Sequence, residues 1–277
     1  ISTTSELVKI SSDGNLGLEE GQKFERGGIY RFTVDVTKGN TKAVLTVEKV
    51  GKVDLPAPDI FFGNDKMEVT DTDIYKSDQA FTQGQMITVT GIDNLNEWWI
   101  DPDFFEKQSD GALKFLPING DYRVTANAVL KYFSVMALKD GKPAKLQDDG
   151  TGAIWAIGKG IGKPSVTSSE VGWEPGKALC LAQVAPKKYQ LTLKAGETLK
   201  TSGDWEAISF KFFYQNDWGG EFGNYASSIL VEQLKLADSG NLEMQDNKAF
   251  EEGAVYRFTI DVTNGNANAD LKVEKIN

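Results

Sequence analysis

The chain has 277 residues, enough at roughly 150 residues per domain for about two domains. Hydrophobic residues make up 40% and charged residues 25%, as in a chain that folds around a core, and 30 basic against 40 acidic side chains leave a net charge of −10 that repels phosphate backbones and argues against a nucleic-acid partner. Histidine is absent and Cys180 is the single cysteine, which excludes histidine-based nucleophile catalysis, imidazole zinc sites, internal disulfides and cysteine-rich metal centres; no metal or cofactor is expected.

The first residues, Ile1-Ser2-Thr3-Thr4-Ser5, show neither a basic nor an apolar leader region, and no run of about 18 apolar residues occurs in the chain. A signal peptide or lipid anchor is therefore expected only upstream of Ile1.

Residues 14–50 match residues 240–276 at a constant offset of 226, without a gap and with 20 of 37 positions identical. Tyr30-Arg31-Phe32-Thr33-Val34-Asp35-Val36-Thr37 thus meets Tyr256-Arg257-Phe258-Thr259-Ile260-Asp261-Val262-Thr263. Apolar residues at every second position predict two antiparallel strands in each copy, joined by a turn at Gly39-Asn40 or Gly265-Asn266. The repeat reads as tandem modules rather than as a site. What precedes Phe210-Lys211-Phe212 in the second copy has no match before the first. Residues 1–50 are therefore expected to be the closing part of a β-sandwich module, a repeat of 227–276, with one hydrophobic face uncovered.

Proline-punctuated residues 51–59 read as a linker, and 51–140 as a central β-sandwich domain. Its clearest strands are predicted over 86–90, 122–126 and 130–138, with an irregular stretch over 94–105 that can begin a helical turn at Asp101-Pro102-Asp103. A second linker over 139–152 contains Asp140-Gly141 and Asp149-Gly150 turns. Residues 141–277 form the last module, with strands predicted over 153–158, 178–184, 189–194, 208–214 and 229–236 before the closing hairpin. No convincing amphipathic helix appears. The fold class is all-β, as tandem antiparallel sandwiches of immunoglobulin-like or carbohydrate-binding-module-like type.

Gly158-Lys159-Gly160-Ile161-Gly162-Lys163-Pro164 fails the phosphate-loop spacing, since three residues rather than four precede its last Gly-Lys and proline replaces the hydroxyl; it reads as a flexible loop at a strand end. The carboxylate pairs Asp71/Asp73, Asp101/Asp103 and Asp148/Asp149 lack calcium-loop spacing and read as solvated turns, although two opposed carboxylates would also suffice for glycoside hydrolysis.

The six tryptophans are more informative. Trp155 lies in an apolar strand and reads as core, while the adjacent Trp98 and Trp99 must face opposite ways, so that one can be exposed. Trp173 and Trp205 lie in turn-rich contexts. Trp218 belongs to Asn216-Asp217-Trp218-Gly219-Gly220-Glu221-Phe222-Gly223-Asn224-Tyr225, where aromatics mix with amides and carboxylates. That mixture suits a sugar: the C–H face of a pyranose complements an indole face, and its hydroxyls need polar partners such as Glu221 or Asn224. Each of these loop tryptophans could equally be a packing residue.

Ile154-Trp155-Ala156-Ile157-Gly158, Gly172-Trp173, Tyr189-Gln190-Leu191-Thr192-Leu193-Lys194-Ala195-Gly196, Phe210-Lys211-Phe212, Asp217-Trp218-Gly219 and the closing repeat together resemble the modules of SusE/SusF-like proteins, surface lipoproteins of glycan-utilisation systems in Bacteroidota. The resemblance covers residues 150–277 and, as a partial module, 1–50; over 60–140 it rests on β character and domain order. It implies a noncatalytic glycan-binding protein on the outer face of the outer membrane, anchored by an N-terminal lipid, with other glycan-uptake components as candidate partners. Trp173 and Trp218 match family positions; Trp205 and Tyr225 are added from local composition. The alternative is a structural or protein-interaction subunit of such a complex without its own sugar site. An insertion over 198–206 puts the adjacent binding face, and starch as the ligand, in question.

Overall fold

The period-two patterns become strands almost throughout: in a computed structural model, strands occupy 46% of the chain and helix 6%, which makes the fold all-β. The structure describes all residues except 13, 55, 56 and 204–206. Among the described residues no helix is long and apolar enough to cross a membrane. The chain divides into two compact units, Ile1–Pro58 with Asp71–Asp73, and Asp59–Thr70 with Ile74–Asn277.

In the first unit, Gly28–Asp35 and Val44–Lys52 form the predicted antiparallel pair, and Ser2–Thr3 adds to Val44–Lys52 in parallel. Val8–Ile10 and Leu16–Leu18 form a separate hairpin. Val8, Ala43 and Leu45 are buried, whereas Leu16, Leu18, Phe24, Phe32, Val34 and Val36 are exposed.

The second unit begins with a sheet centred on Ile74–Phe81, Gly120–Asn127 and Tyr132–Lys139, all antiparallel. The first of these strands was not predicted, because Lys76, Ser77, Asp78 and Gln79 interrupt its apolar positions. Asp140 and Gly141, both at positive φ, make a two-residue turn that returns Lys142–Pro143 onto Tyr132–Lys139, so the second linker opens as a hairpin. Phe62 packs within 5.3–6.1 Å of Phe81, Phe105 and Phe133, and Trp98 stacks on Phe133 at 4.7 Å.

The last module is a two-sheet sandwich. One sheet runs in the order Glu170–Gly172, Trp155–Gly162, Ser209–Phe213, Leu242–Met244, Leu234–Leu236, with Leu179–Cys180 also paired to Trp155–Gly162. The other runs Ala182–Ala185, Lys188–Lys194, Val255–Asp261, Asp270–Lys275, Ser227–Ile229. Phe210 and Phe212 meet Phe258 across the core at 5.5 and 6.5 Å.

Two predicted strands prove to be sheet-switching segments. The stretch 178–184 leaves one sheet at Cys180 and enters the other at Ala182, and 229–236 leaves at Ile229 and re-enters the opposite sheet at Leu234. Such corners bind the two layers of a sandwich at its edges.

The glycine run at 158–162 is not a flexible loop. It is the second half of the strand Trp155–Gly162, and a Cβ on Gly158 would stand 2.3 Å from Phe210 Cα, one on Gly162 2.4 Å from Ser169 O. The glycines allow neighbouring backbones to close on both sides of the strand.

Candidate functional site

Alternation along Ser209–Phe213 turns Phe210 and Phe212 into the sandwich and therefore puts Lys211 and Phe213 on the outer face of the sheet. On that face Trp218 packs against Phe213 edge-on, with centroids 6.0 Å apart and planes at 74°. Trp173, from the loop after Glu170–Gly172, lies near-parallel to Trp218 at 24°, with 6.3 Å between centroids. That spacing belongs to an offset pair, which leaves ring surface free. Trp218 is 49% exposed and Trp173 half-buried against the core.

The Trp218 loop is braced by its own polar groups. Tyr214 N donates to Gly220 O at 2.6 Å, Trp218 N to Asp217 Oδ1 at 2.7 Å, and Gln215 Nε2 to Trp218 O at 2.6 Å. Gly219 and Gly220 take φ values of 82° and 67°, which a side chain would strain. The indole is thus held out by a fixed turn.

Glu221 follows that turn and bridges back to Phe213 through its backbone. Its carboxylate accepts a hydrogen bond from Lys211 Nζ at 2.9 Å; the Lys211 side chain is 9% exposed and that of Glu221 44%. A buried ammonium thus fixes a carboxylate that still faces solvent. Charge-assisted bonds of this type hold geometry well, and the free oxygen of Glu221 remains an acceptor. Lys211 was missed in the sequence, although its place between Phe210 and Phe212 already assigns it to the outer face.

Of the other predicted residues, Asn224 is exposed. Tyr225 is a correction: its ring lies parallel to buried Phe222 at 5.9 Å and 2°, and its hydroxyl is buried without a hydrogen-bond partner. Burial accordingly raises its pKa. One face of its ring is thus covered by Phe222. Trp205 lies outside the described residues.

The Asp101/Asp103 pair is a second correction, since it does not sit in a solvated turn. Lys163 Nζ donates to both oxygens of Asp101 at 2.8 Å and to Asp103 Oδ2 at 3.0 Å. Asp103 also accepts from Gln190 Nε2 at 2.7 Å, Thr192 Oγ1 at 2.6 Å and Thr192 N at 2.6 Å. The three charged side chains are only 7%, 6% and 1% exposed, for Lys163, Asp101 and Asp103. Burial pushes Asp101 up; for Asp103, burial is outweighed by Lys163 and the Gln190 and Thr192 hydrogen bonds, and its pKa falls. Lys163 is held charged because both carboxylates together outweigh its own burial. The cluster ties the 101–103 turn to the last module and leaves both carboxylates almost fully buried. Asp148 and Asp149 do lie in an exposed turn, with Asp149 Oδ1 accepting from Thr151 N at 2.9 Å.

Trp98 and Trp99 divide as their adjacency requires. Trp98 is buried, and Trp99 is half-buried with Nε1 donating to Glu197 Oε1 at 3.0 Å. Trp99 borders a concavity of about 600 Å³ whose wall includes Tyr132, Ser168, Ser169, Glu170 and Lys177. No local pattern signals it, because its walls come from stretches that are distant along the chain. The loop after Trp173 contributes Gly176, Lys177 and Ala178 to this wall, so it touches the concavity at one end and the indole pair at the other.

No curated protein matches the chain. Residues 53–146 match a family described as a domain of unknown function, DUF5125. A second family, described as a domain of unknown function, DUF5121, matches residues 1–37 and 149–263 and so takes in the first part of each copy of the repeat, 14–37 and 240–263. With more than half of its residues matched there, the chain belongs to the DUF5121 family.

Proposed function

We propose that this chain binds a glycan without transforming it, on the outer face of the last module, with Trp173 and Trp218 as the platform and Glu221, held by Lys211, as hydrogen-bond partner. The observation that carries the reading is the offset indole pair, half open to solvent on a braced turn and three residues from a fixed carboxylate. An exposed indole face is a poor use of apolar area unless something covers it, and a pyranose offers C–H bonds to the ring and hydroxyls to the rim. A shallow site of this type corresponds to micromolar to millimolar affinity, about −8 to −4 kcal/mol. Asn224 is a further rim donor in this reading.

The Asp101–Lys163–Asp103 cluster, in which one lysine holds both carboxylates almost fully buried, supports binding rather than hydrolysis. The resemblance to SusE/SusF-like modules supports a place on the outer face of the outer membrane, with a lipid anchor and other glycan-uptake components as partners. Affinity electrophoresis against a panel of soluble polysaccharides tests the reading. Retardation by at least one glycan should be lost in Trp218→Ala and weakened about tenfold or more in Glu221→Gln. Binding unaffected by both substitutions, or release of reducing ends on prolonged incubation, would overturn it.

A further inference from the structure

The two copies of the repeat have the same backbone and different surroundings. Val8–Ile10 pairs with Leu16–Leu18 in the register Val8↔Leu18, and Leu234–Leu236 with Leu242–Met244 in the register Leu234↔Met244, each residue shifted by the same 226 positions. Phe32↔Val47 and Phe258↔Val273 likewise correspond. Even the edge-on ring pair recurs, Phe24–Tyr30 at 4.8 Å and Phe250–Tyr256 at 4.6 Å.

In the second copy two things complete this hairpin. Lys188–Lys194 hydrogen-bonds along the free edge of Val255–Asp261, with Leu191 opposite Phe258. Ser209–Phe213, in the facing sheet, lays Phe210 and Phe212 on the same Phe258. In the first copy both places are open. Gly28–Asp35 is the edge strand of its sheet, with no strand on its far side among the described residues. Phe32, Val34 and Val36 are 49%, 52% and 51% exposed, where Phe258, Ile260 and Val262 are each 0%.

The side chains of the open copy are nevertheless those of a buried one. Leu16, Phe24, Phe32 and Val36 are identical to Leu242, Phe250, Phe258 and Val262, and Val34 stands for Ile260. A solvated face would not need aromatic and branched residues at each inward position, and an unpaired edge beside an apolar face is a template for strand addition.

We propose that the edge and face of Gly28–Asp35 are a docking surface for a polypeptide segment of the chemistry of residues 149–226: one strand with alternating apolar residues like Tyr189, Leu191 and Leu193 along the edge, and a second with paired aromatics like Phe210 and Phe212 over the face. This surface is separate from the indole pair and does not depend on glycan binding.

The test supplies that segment. A copy of residues 149–226 is fused ahead of Ile1 in the full chain, so that its last residue enters the first copy as residue 226 enters Ser227. Amide exchange over residues 28–52 should slow by about 100-fold or more, and binding of an apolar fluorescent dye should fall. The same fusion carrying Phe210→Asp and Phe212→Asp in the added copy should do neither. In a second arm, the segment joined to a soluble carrier is added in trans to the unaltered chain, with the same readout. Exchange over 28–52 that stays fast in both arms, or slows equally with the Asp-bearing segment, overturns the proposal. So does a homodimer of the unaltered chain that Phe32→Glu dissociates, since a second copy would then be the occupant.

Discussion

Residues 1–50 and 227–276 are one sequence pattern in two environments, and comparing them separates what a hairpin determines for itself from what it receives. Strand register, the turn and the Phe24–Tyr30 or Phe250–Tyr256 ring contact are common to both copies. They follow from period-two alternation and turn residues, which act over a few positions. Burial is not common to both. Phe258, Ile260 and Val262 of the second copy are fully buried beside strands that lie outside the repeat, whereas Phe32, Val34 and Val36 of the first copy are about half exposed, although Val8, Ala43 and Leu45 are buried in it too. Local sequence thus sets the pairing, while the opposing sheet supplies most of the apolar stabilisation.

The largest expected effect breaks the comparison at Phe258. Phe258→Ala empties a fully buried site between Phe210 and Phe212 and should destabilise the last module by roughly 3–5 kcal/mol. Phe32→Ala removes the same atoms from a half-solvated site and should change stability by less than about 1 kcal/mol. Denaturant unfolding followed by exchange in each copy distinguishes them. Equal losses would mean that Phe32 is covered in solution.

Next comes the Lys163 cluster, which is held by the 188–194 strand that the first copy lacks. Lys163→Met leaves two buried carboxylates without a counter-ion and should destabilise by about 3–5 kcal/mol, whereas Lys177→Met, from an exposed pair with Glu174, should lose less than about 1 kcal/mol. The pH dependence has a definite sign. The pKa of Asp103 is depressed by folding, so its contribution is present above the ordinary aspartate range and is lost as pH falls through the depressed value. Asp101, raised by burial, acts oppositely and favours the fold when protonated. Lys163, also raised, keeps its contribution at neutral pH and loses it only above the ordinary lysine range. Unfolding curves in mild acid should therefore change less than the depressed Asp103 alone would predict, and Asp101→Asn should be tolerated better than Asp103→Asn. The reverse ranking would refute the assignment of charge within the cluster.

A smaller effect should be the same in both copies. Gly39 and Gly265 have φ 89° and 95° with ψ 156° in both cases, a conformation open essentially to glycine alone, and no atom lies within 4 Å of where an alanine methyl would stand at either position. Alanine there should cost about 1–3 kcal/mol of backbone strain without any clash. Because the strain is local, hydrogen exchange in the two hairpins should respond alike. A much larger loss in one copy would show that the turn is set by its surroundings.

These contrasts also explain what could be read from the residues. The all-β class, the repeat, its turns and the loop positions of Trp173 and Trp218 were legible because each is encoded within a short window. The depth of Tyr225 was not, since it depends on Phe222 beneath the ring. Neither was the Asp101–Lys163–Asp103 cluster, whose lysine lies 60 or more positions from its two aspartates, which by themselves look like turn residues. The pairing of Trp173 with Trp218 also had to come from the fold, because it requires both loops to be carried over Phe213.

The finest contrast lies in the carboxylate beside each turn. Asp35 Oδ1 accepts from Thr37 N at 2.8 Å and Asp261 Oδ1 from Thr263 N at 2.9 Å, the same bond in each copy. Both carboxyls are held below the ordinary aspartate range. For Asp35 the Thr37 amide is the chief cause; for Asp261 burial opposes the shift, and the Thr263 bonds together with Lys188 overcome it. Each contribution is therefore present above the ordinary range and lost as pH falls through the depressed value. Lys188 lies 3.3 Å from Asp261 and belongs to the neighbouring strand that only the second copy possesses. Lys188→Met should thus raise the Asp261 titration midpoint, read from its carboxyl resonance, and leave that of Asp35 where it is. If both midpoints move, or neither, then the neighbouring strand does not set the difference between the copies, and the separation of local from supplied interactions fails at this position.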